Sequence, residues 1–309
     1  MSEGYNQQRD RWTTRAGEWT LYAMAWVMRK LTWSFSTWSL ARFLGAFGCR
    51  LVLIIPAFRR RADDNLKLVY PKMGTAERRT LVREAARSFI HLAVEYAHLD
   101  RFIRKVAIST DGIERLHAAR RAGKGAIIVS AHYGNWEAIR IAARREGHDI
   151  GIIYRAFNNR YLDRFTMDLI PRAGEPVLQK GRRGMRQLVA HVRRGGTIMI
   201  LVDQRNSGAP FIDFMGQPAE TVTAAADLAL ASGAVLLPAR AVRNMDTCRF
   251  RVTFEEPVEG DDSIAMMTEV NHRITGWVAE YPAQWFWFHR RWKSTSRSME
   301  RPAESEPAG

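Results

Sequence analysis

Between Gly123 and Val242 the chain alternates short, unbroken apolar runs with longer stretches in which apolar residues recur every three or four positions. The runs Gly125 to Ser130 (GAIIVS), Ile150 to Tyr154, Val177 to Gln179, Thr197 to Asp203 (TIMILVD) and Val235 to Val242 (VLLPARAV) predict strands buried on both faces. The stretches Asn135 to Arg145, Arg160 to Ile170, Arg183 to Arg194 and Thr221 to Ala231 predict helices between them, with Asn135 able to cap its helix and Gly147 placed to end it. Upstream, Thr75 to Leu99 carries Leu81, Ala85, Phe89 and Leu92 at helical spacing. Downstream, Arg249 to Phe254 alternates basic and apolar residues and predicts an edge strand, and Ser263 to Glu280 predicts a last amphipathic helix. Strands alternating with helices imply right-handed crossovers, so the expected fold is α/β, with a mixed, mainly parallel sheet flanked by helices.

The first 62 residues break this pattern. Trp12, Trp19, Trp26, Trp33 and Trp38 are mixed with Leu31, Phe35, Leu40, Phe43, Leu44, Phe47 and the run Leu51 to Ile55, and ten Arg and Lys stand against three acids. Aromatic and basic residues mixed in this way suit the headgroup region of a bilayer. Arg29, Lys30, Arg42 and Arg50 interrupt every window long enough to span one. The segment therefore reads as membrane-associated helices lying in the interface, with Arg59, Arg60 and Arg61 at the level of anionic headgroups, and the run Leu21 to Met28 lacks the features of a secretory signal. The resulting division is 1–62 as this segment, 63–293 as the folded domain and 294–309, rich in Ser, Pro, Glu and Gly, as a disordered tail.

Charge sharpens the picture. The 309 residues hold 47 Lys and Arg against 32 Asp and Glu, a formal net charge of +15, which implies an anionic partner: nucleic acid, a phospholipid surface or an acidic carrier. No helix-turn-helix, RNA-recognition or zinc signature accompanies the basic residues, so nucleic acid is set aside. Arg182, Arg183, Arg186, Arg193 and Arg194 suit equally a face that docks an acidic carrier protein or one that lies on anionic lipid. Cys49 and Cys248 alone build no disulfide framework and no CxxC metal or redox pair, in keeping with a reducing, cytosol-facing location. The pairs Glu95-x-x-His98 and Glu114-x-x-His117 have di-iron spacing but lack the further helix-borne glutamates, and read as residues of an exposed helix face, so no metal is expected.

The sharpest chemistry lies in Ser130-Ala-His-Tyr-Gly-Asn-Trp-Glu137, at the end of the first buried strand and the start of a helix, where sites form in open α/β sheets. His132 on the turn and Glu137 in the first helical turn are able to meet, with Gly134 supplying backbone freedom. Glu137 is then expected to orient the imidazole and leave its other nitrogen free to take a proton from a hydroxyl. No GxSxG elbow supplies a protein nucleophile.

The block AHYGNWE resembles the His-x4-Asp/Glu motif of the glycerolipid acyltransferase superfamily, and its HxGNWE form resembles the late acyltransferases of lipid A biosynthesis, the lauroyl and myristoyl transferases. Tyr154-Arg155 with Asn158-Asn159, Val202-Asp203-Gln204, Phe214-Met-Gly-Gln-Pro-Ala219 and Gln284-Trp-Phe-Trp-Phe-His-Arg-Arg-Trp292 are similar to that family's further blocks, so the likeness spans roughly 20 to 293. It implies transfer of a fatty acyl group from an acyl thioester, on acyl carrier protein or coenzyme A as co-substrate with no other cofactor, to a hydroxyl of a lipid A precursor or related glycolipid at the cytoplasmic face of a bacterial inner membrane. Within the likeness His132 is the base, Glu137 its partner, Arg155 with Asn158 a binder of phosphate or carboxylate, and Asp203 with Gln204 binders of sugar hydroxyls or supports for Arg155. A Phe-Pro-Glu-Gly block is absent, which separates the chain from glycerol phosphate acylation. The short basic stretch Arg205-Asn-Ser-Gly208 departs from the lipid A branch, and a related branch acylates phosphatidylinositol mannosides. The competing readings are a catalytically inactive lipid-binding protein of the membrane surface and an acyltransferase acting on a lysophospholipid. The stripe Trp285, Trp287 and Trp292 has core as its commonest fate.

Overall fold

The computed structural model describes residues 37–156 and 159–293, with positions 17, 19–20, 22–23, 26–27 and 30 also described and helical. The expected tail 294–309, most of the first 36 residues and Asn158 lie outside the described residues. Four helices open the described chain: α1 (Thr37–Ile54), α2 (Pro56–Val69), α3 (Thr75–Ala97) and α4 (Leu99–Lys105). The α/β portion then runs β1 (Ile108–Asp111), α5 (Ile113–Arg121), β2 (Ala126–Ser130), α6 (Glu137–Arg145), β3 (Ile150–Tyr154), α7 (Arg160–Met167), β4 (Val177–Gln179), α8 (Arg182–Arg193) and β5 (Thr197–Leu201). It closes with the hairpin β6 (Phe211–Phe214) and β7 (Gln217–Glu220), then α9 (Ala224–Ser232), β8 (Val235–Arg243), β9 (Phe250–Phe254) and α10 (Ser263–Glu280).

Seven strands form one sheet in the order β1-β9-β8-β2-β5-β3-β4. All neighbours are parallel except β8 and β9. The centre is β2, whose five residues are all buried because helices cover both faces. On one face Trp277, Trp285, Trp287, Trp292 and Phe288 pack with Leu188, Val192, Leu66 and Ala85 from α8, α2 and α3. On the other, Ile139, Ala142 and Ala143 of α6 meet Ile128, Leu237 and Val252 of the sheet. The three C-terminal tryptophans are core, each no more than 1% exposed.

Three features differ from the sequence reading. First, β9 lies between β8 and β1 and is not an edge. Its alternation reports one wet face, since Arg251 is exposed between buried Phe250 and Val252. Second, α2 runs through the expected boundary at 62/63 and gives Ala62 and Leu66 to the main core. Third, Phe214 to Ala219 is a hairpin whose turn residues Met215 and Gly216 have φ of 57° and 74°, the doubly left-handed turn that matches strand twist. Among the described residues no helix is long and apolar enough to cross a membrane.

Candidate active site

Register brings the site together. Ser130 on β2 pairs with Leu201 on β5, so both strands end level, and the residues just beyond them, His132 and Asp203, project at the carboxyl edge of the sheet. His132 Nδ1 lies 2.7 Å from Asp203 Oδ1, and the His132 backbone N–H donates to Asp203 Oδ2 over 2.8 Å. The indole N–H of Trp285 donates to the same oxygen over 2.9 Å. Asp203 is fully buried. Burial pushes its carboxyl up, but the charge and hydrogen bonds of His132 outweigh that and hold it well below the usual carboxylate range. An ionised carboxylate only accepts, so Nδ1 carries the hydrogen and Nε2 presents its lone pair outward. Gln204 Nε2 stands 3.2 Å from that nitrogen, and the His132 side chain is 19% exposed.

The turn that carries His132 is clamped from two sides. The loop 132–134 hydrogen-bonds to the C-terminal stretch, Gly134 N–H to Gln284 O over 2.9 Å and Phe286 N–H to His132 O over 3.0 Å. Gly134 has φ of 56°, and a Cβ there would come within 2.0 Å of Ala241 O, so no other residue fits. Asn135 accepts from the N–H of Glu137 at 3.0 Å, capping α6, and donates to Glu95 at 2.8 Å. Glu95 in turn holds Arg243 through bonds of 2.9 and 2.5 Å.

The expected pairing of Glu137 with His132 is not what the structure shows. The Glu137 carboxylate accepts from Tyr96 OH at 2.7 Å and from Arg140 Nη1 at 2.6 Å, and is fully buried. In the first turn of α6 its side chain is directed under the sheet edge toward α3, where Arg140, one turn on, supplies the countercharge; Arg140 also donates to Ile150 O at 3.0 Å. Asp203 likewise differs from its expected place among sugar hydroxyls: with no exposed surface, it serves the imidazole. Arg155 is exposed just past β3, Gln204 is exposed beside His132, and Asn158 is outside the described residues. Glu95 and His98, expected on an exposed face, are each 1% exposed, while Glu114 is exposed.

The sequence reading missed two contributors. His289 packs edge-on against His132 with ring centroids 4.6 Å apart, and burial together with the charge of His132 lowers it to about 3, so it is neutral. Trp136 covers the other side of His132 at 5.0 Å. A narrow apolar crevice runs from His132 between Ala85, Phe89 and Leu92 of α3 and the loop Trp285–Phe286. His132, Asp203 and His289 present donor atoms within 4.8 Å of one another.

The model of the family described as bacterial lipid A biosynthesis acyltransferase matches residues 6–294. Among curated proteins, the lipid A biosynthesis palmitoleoyltransferase of Escherichia coli K12 is 25% identical over 255 residues, covering 77% of this chain and 81% of its own. A lipid A biosynthesis acyltransferase of Haemophilus influenzae is 26% identical over 261 residues, 80% of this chain and 79% of its own. The phosphatidylinositol mannoside acyltransferase of Mycobacterium tuberculosis H37Rv is 27% identical over 199 residues, 61% and 62% of the two chains. With a histidine–aspartate pair at the sheet edge, an apolar crevice beside it and a match along nearly its whole length, the chain belongs to the bacterial lipid A biosynthesis acyltransferase family and is an O-acyltransferase.

Proposed function

We propose that this enzyme moves a fatty acyl group from an acyl thioester to a hydroxyl of a lipid A precursor or a related glycolipid, with His132 as general base and Asp203 as its partner. The observation that carries the reading is the 2.7 Å bond between His132 Nδ1 and the buried Asp203, which leaves Nε2 basic and facing outward. The acceptor hydroxyl gives its proton to Nε2 as its oxygen attacks the thioester carbonyl carbon, and the tetrahedral intermediate collapses with cleavage of the C–S bond. The departing thiolate takes the proton back from the imidazolium, and Asp203 stabilises that cation between the two steps. The first part of the acyl chain enters the α3 crevice, which at about 10 Å³ accommodates it only when lining side chains such as Phe89 and Leu92 move aside, while Arg155 and Asn158 bind phosphate or carboxylate and Gln204 contacts the acceptor. Glu137 acts through position, by fixing α6 under the catalytic turn.

The N-terminal helices hold the site at the cytoplasmic face of the inner membrane. Exposed Phe43, Phe47, Ile54 and Ile55, with Trp19 and Trp26, supply apolar contact beside exposed Arg42, Arg50, Arg59 and Arg60. The deciding experiment is transfer of labelled acyl groups from acyl carrier protein and from coenzyme A to a lipid A precursor, a phosphoglycolipid and a lysophospholipid. Product on a glycolipid that disappears with His132→Ala supports the reading. Product on the lysophospholipid alone, or lipid binding without turnover, overturns it.

A further inference from the structure

From Pro176 to Val202 the chain contains no Asp or Glu, and the helix in its middle, α8, with the residue after it, carries Arg182, Arg183, Arg186, Arg193 and Arg194. All five are exposed, and among the described residues none takes part in an ion pair. Several arginines elsewhere are matched to acids, Arg78 to Asp63, Arg140 to Glu137, Arg172 to Asp100, Arg205 to Glu220, Arg240 to Glu280, Arg243 to Glu95 and Arg273 to Glu269, and exposed arginines without an acid also occur on other helices, so what distinguishes α8 is their alignment on one helix in a segment with no acid at all. The arrangement is also unfavourable for α8 itself, because like charges repel along one ridge and Arg182 and Arg183 occupy its first turn, where the helix dipole disfavours cations. Stability of the isolated chain therefore does not account for it.

The helix is two-faced. Gly184, Leu188 and Val192, at intervals of four, are buried against the sheet. Opposite them Arg182, Arg186 and Arg193 form a ridge about 16 Å long at 1.5 Å per residue. The exposed Met185 and the half-buried Val189 and Ala190 make a shallow apolar strip among these arginines. The ridge begins beside the active site. Tyr154 pairs with Gln179, Ile152 with Met199 and Ser130 with Leu201, so β4, β3, β5 and β2 end at one level. The start of α8, just beyond β4, is three strand spacings from β2, about 14 Å from the His132 turn. Exposed Arg155 and Lys180 lie between.

We infer that this ridge docks an acidic acyl carrier protein, whose helix lays carboxylates on Arg182, Arg186 and Arg193 and an apolar side chain on Met185, so that its acyl-bearing arm reaches His132 along the strand ends. The inference rests on the acyl-transfer reading above and names its donor. Charge complementarity calls for an anionic partner, and the small apolar content of the ridge favours a protein over a bilayer here. The strip holds one exposed large apolar side chain among guanidinium groups suited to bidentate carboxylate pairing, whereas α1 presents Phe43, Phe47 and Ile54.

The test uses the full-length protein and the triple variant Arg182→Glu, Arg186→Glu, Arg193→Glu, checked for unchanged melting temperature, beside the milder Met185→Ser. Binding of purified acyl carrier protein is measured by calorimetry, without turnover. Transfer is measured from carrier-bound and coenzyme A thioesters of one acyl chain, and sedimentation with phosphatidylglycerol vesicles is measured in parallel. The expected result is a roughly tenfold or greater loss of carrier affinity, an equal rise in KM for the carrier-bound donor, and no change with the coenzyme A donor or with vesicles. Wild-type protein that does not bind the carrier, or a triple variant that binds it normally, overturns the proposal. A variant that loses vesicle binding alone assigns the ridge to lipid instead. Absence of transfer from either donor counts against the acyl-transfer reading, while the calorimetric result still decides the docking.

Discussion

Two carboxylates flank the turn that carries His132, and their surroundings differ in one respect. Asp203 is buried against an imidazole that reaches solvent, whereas Glu137 is buried against Arg140, a cation with no exposed surface at all. The first pair is open on one side and able to accept and release a proton. The second is closed by Tyr96, Arg140 and the backbone carbonyls that Arg140 binds, so its contribution is to geometry. Adjacency in sequence favoured Glu137 as the partner of His132; the sheet, by ending β2 and β5 at one level, brings in a residue 71 positions away.

The largest effect expected from this contrast is on rate. Asp203→Asn should lower acyl transfer by roughly 10³- to 10⁴-fold in protein that still folds, because the amide keeps the volume but not the tautomer control or the countercharge. Steady-state rates and thermal melts of the same preparation check it. Glu137→Gln should show the reverse balance: a loss of about 3–5 kcal/mol in denaturant unfolding, since Arg140 is left buried without its partner, and a smaller loss of rate in the fraction that folds. A Glu137→Gln protein as stable as wild type and as inactive as the Asp203 variant would break the comparison.

Acidification sharpens it further. Burial, with the charge of neighbouring arginines, lowers His91 to about 3, and His289 is also lowered to about 3, against an ordinary value of 6.5. Below that ordinary value the unfolded chain binds protons that the native state refuses, so stability falls as pH drops from about 6.5 toward 3, by roughly 1.4 kcal/mol per unit for each histidine. Asp203 adds to this only at lower pH: its stabilisation is complete above the ordinary carboxylate range and is lost as pH falls through its depressed native value. Denaturant titrations at pH 7 and 5.5 should differ by roughly 2–3 kcal/mol, and His91→Gln should halve the difference. The smallest effect concerns the crevice, where Phe89 and Phe286 meet with ring centroids 5.0 Å apart. Phe89→Ala should shift preference toward a longer acyl chain by about tenfold in relative kcat/KM, measured by competition between two donors.

Much of the fold was legible because its central strands are buried on both faces and leave unbroken apolar runs. Ile150–Tyr154 and Val177–Gln179 have the expected bounds, and α10 runs from Ser263 to Glu280 as its periodicity predicts. Strand β1 was not legible: Ile-Ser-Thr-Asp is four residues long, half exposed, and its polarity resembles a loop. The hairpin was hidden by Pro218, an unusual strand residue, and by Met215 at the left-handed turn position. At the site, His132 stood out because a histidine after a buried strand and before a capped helix is placed by local rules. Its relations to Asp203, Trp285 and His289 arise from strand order and from the return of the C-terminal stretch, which local pattern does not encode.

That return also sets an order in time. Asp203 takes its bonds from His132 and from Trp285, 82 residues further along, and the loop 132–134 is pinned by residues 284–286. During synthesis the strands that lead to His132 and Asp203 are complete long before the segment that locks them, and contacts of such separation form late. The nascent enzyme therefore passes through most of its translation with an unlocked site, and its catalytic competence begins only once the last tryptophans have left the ribosome.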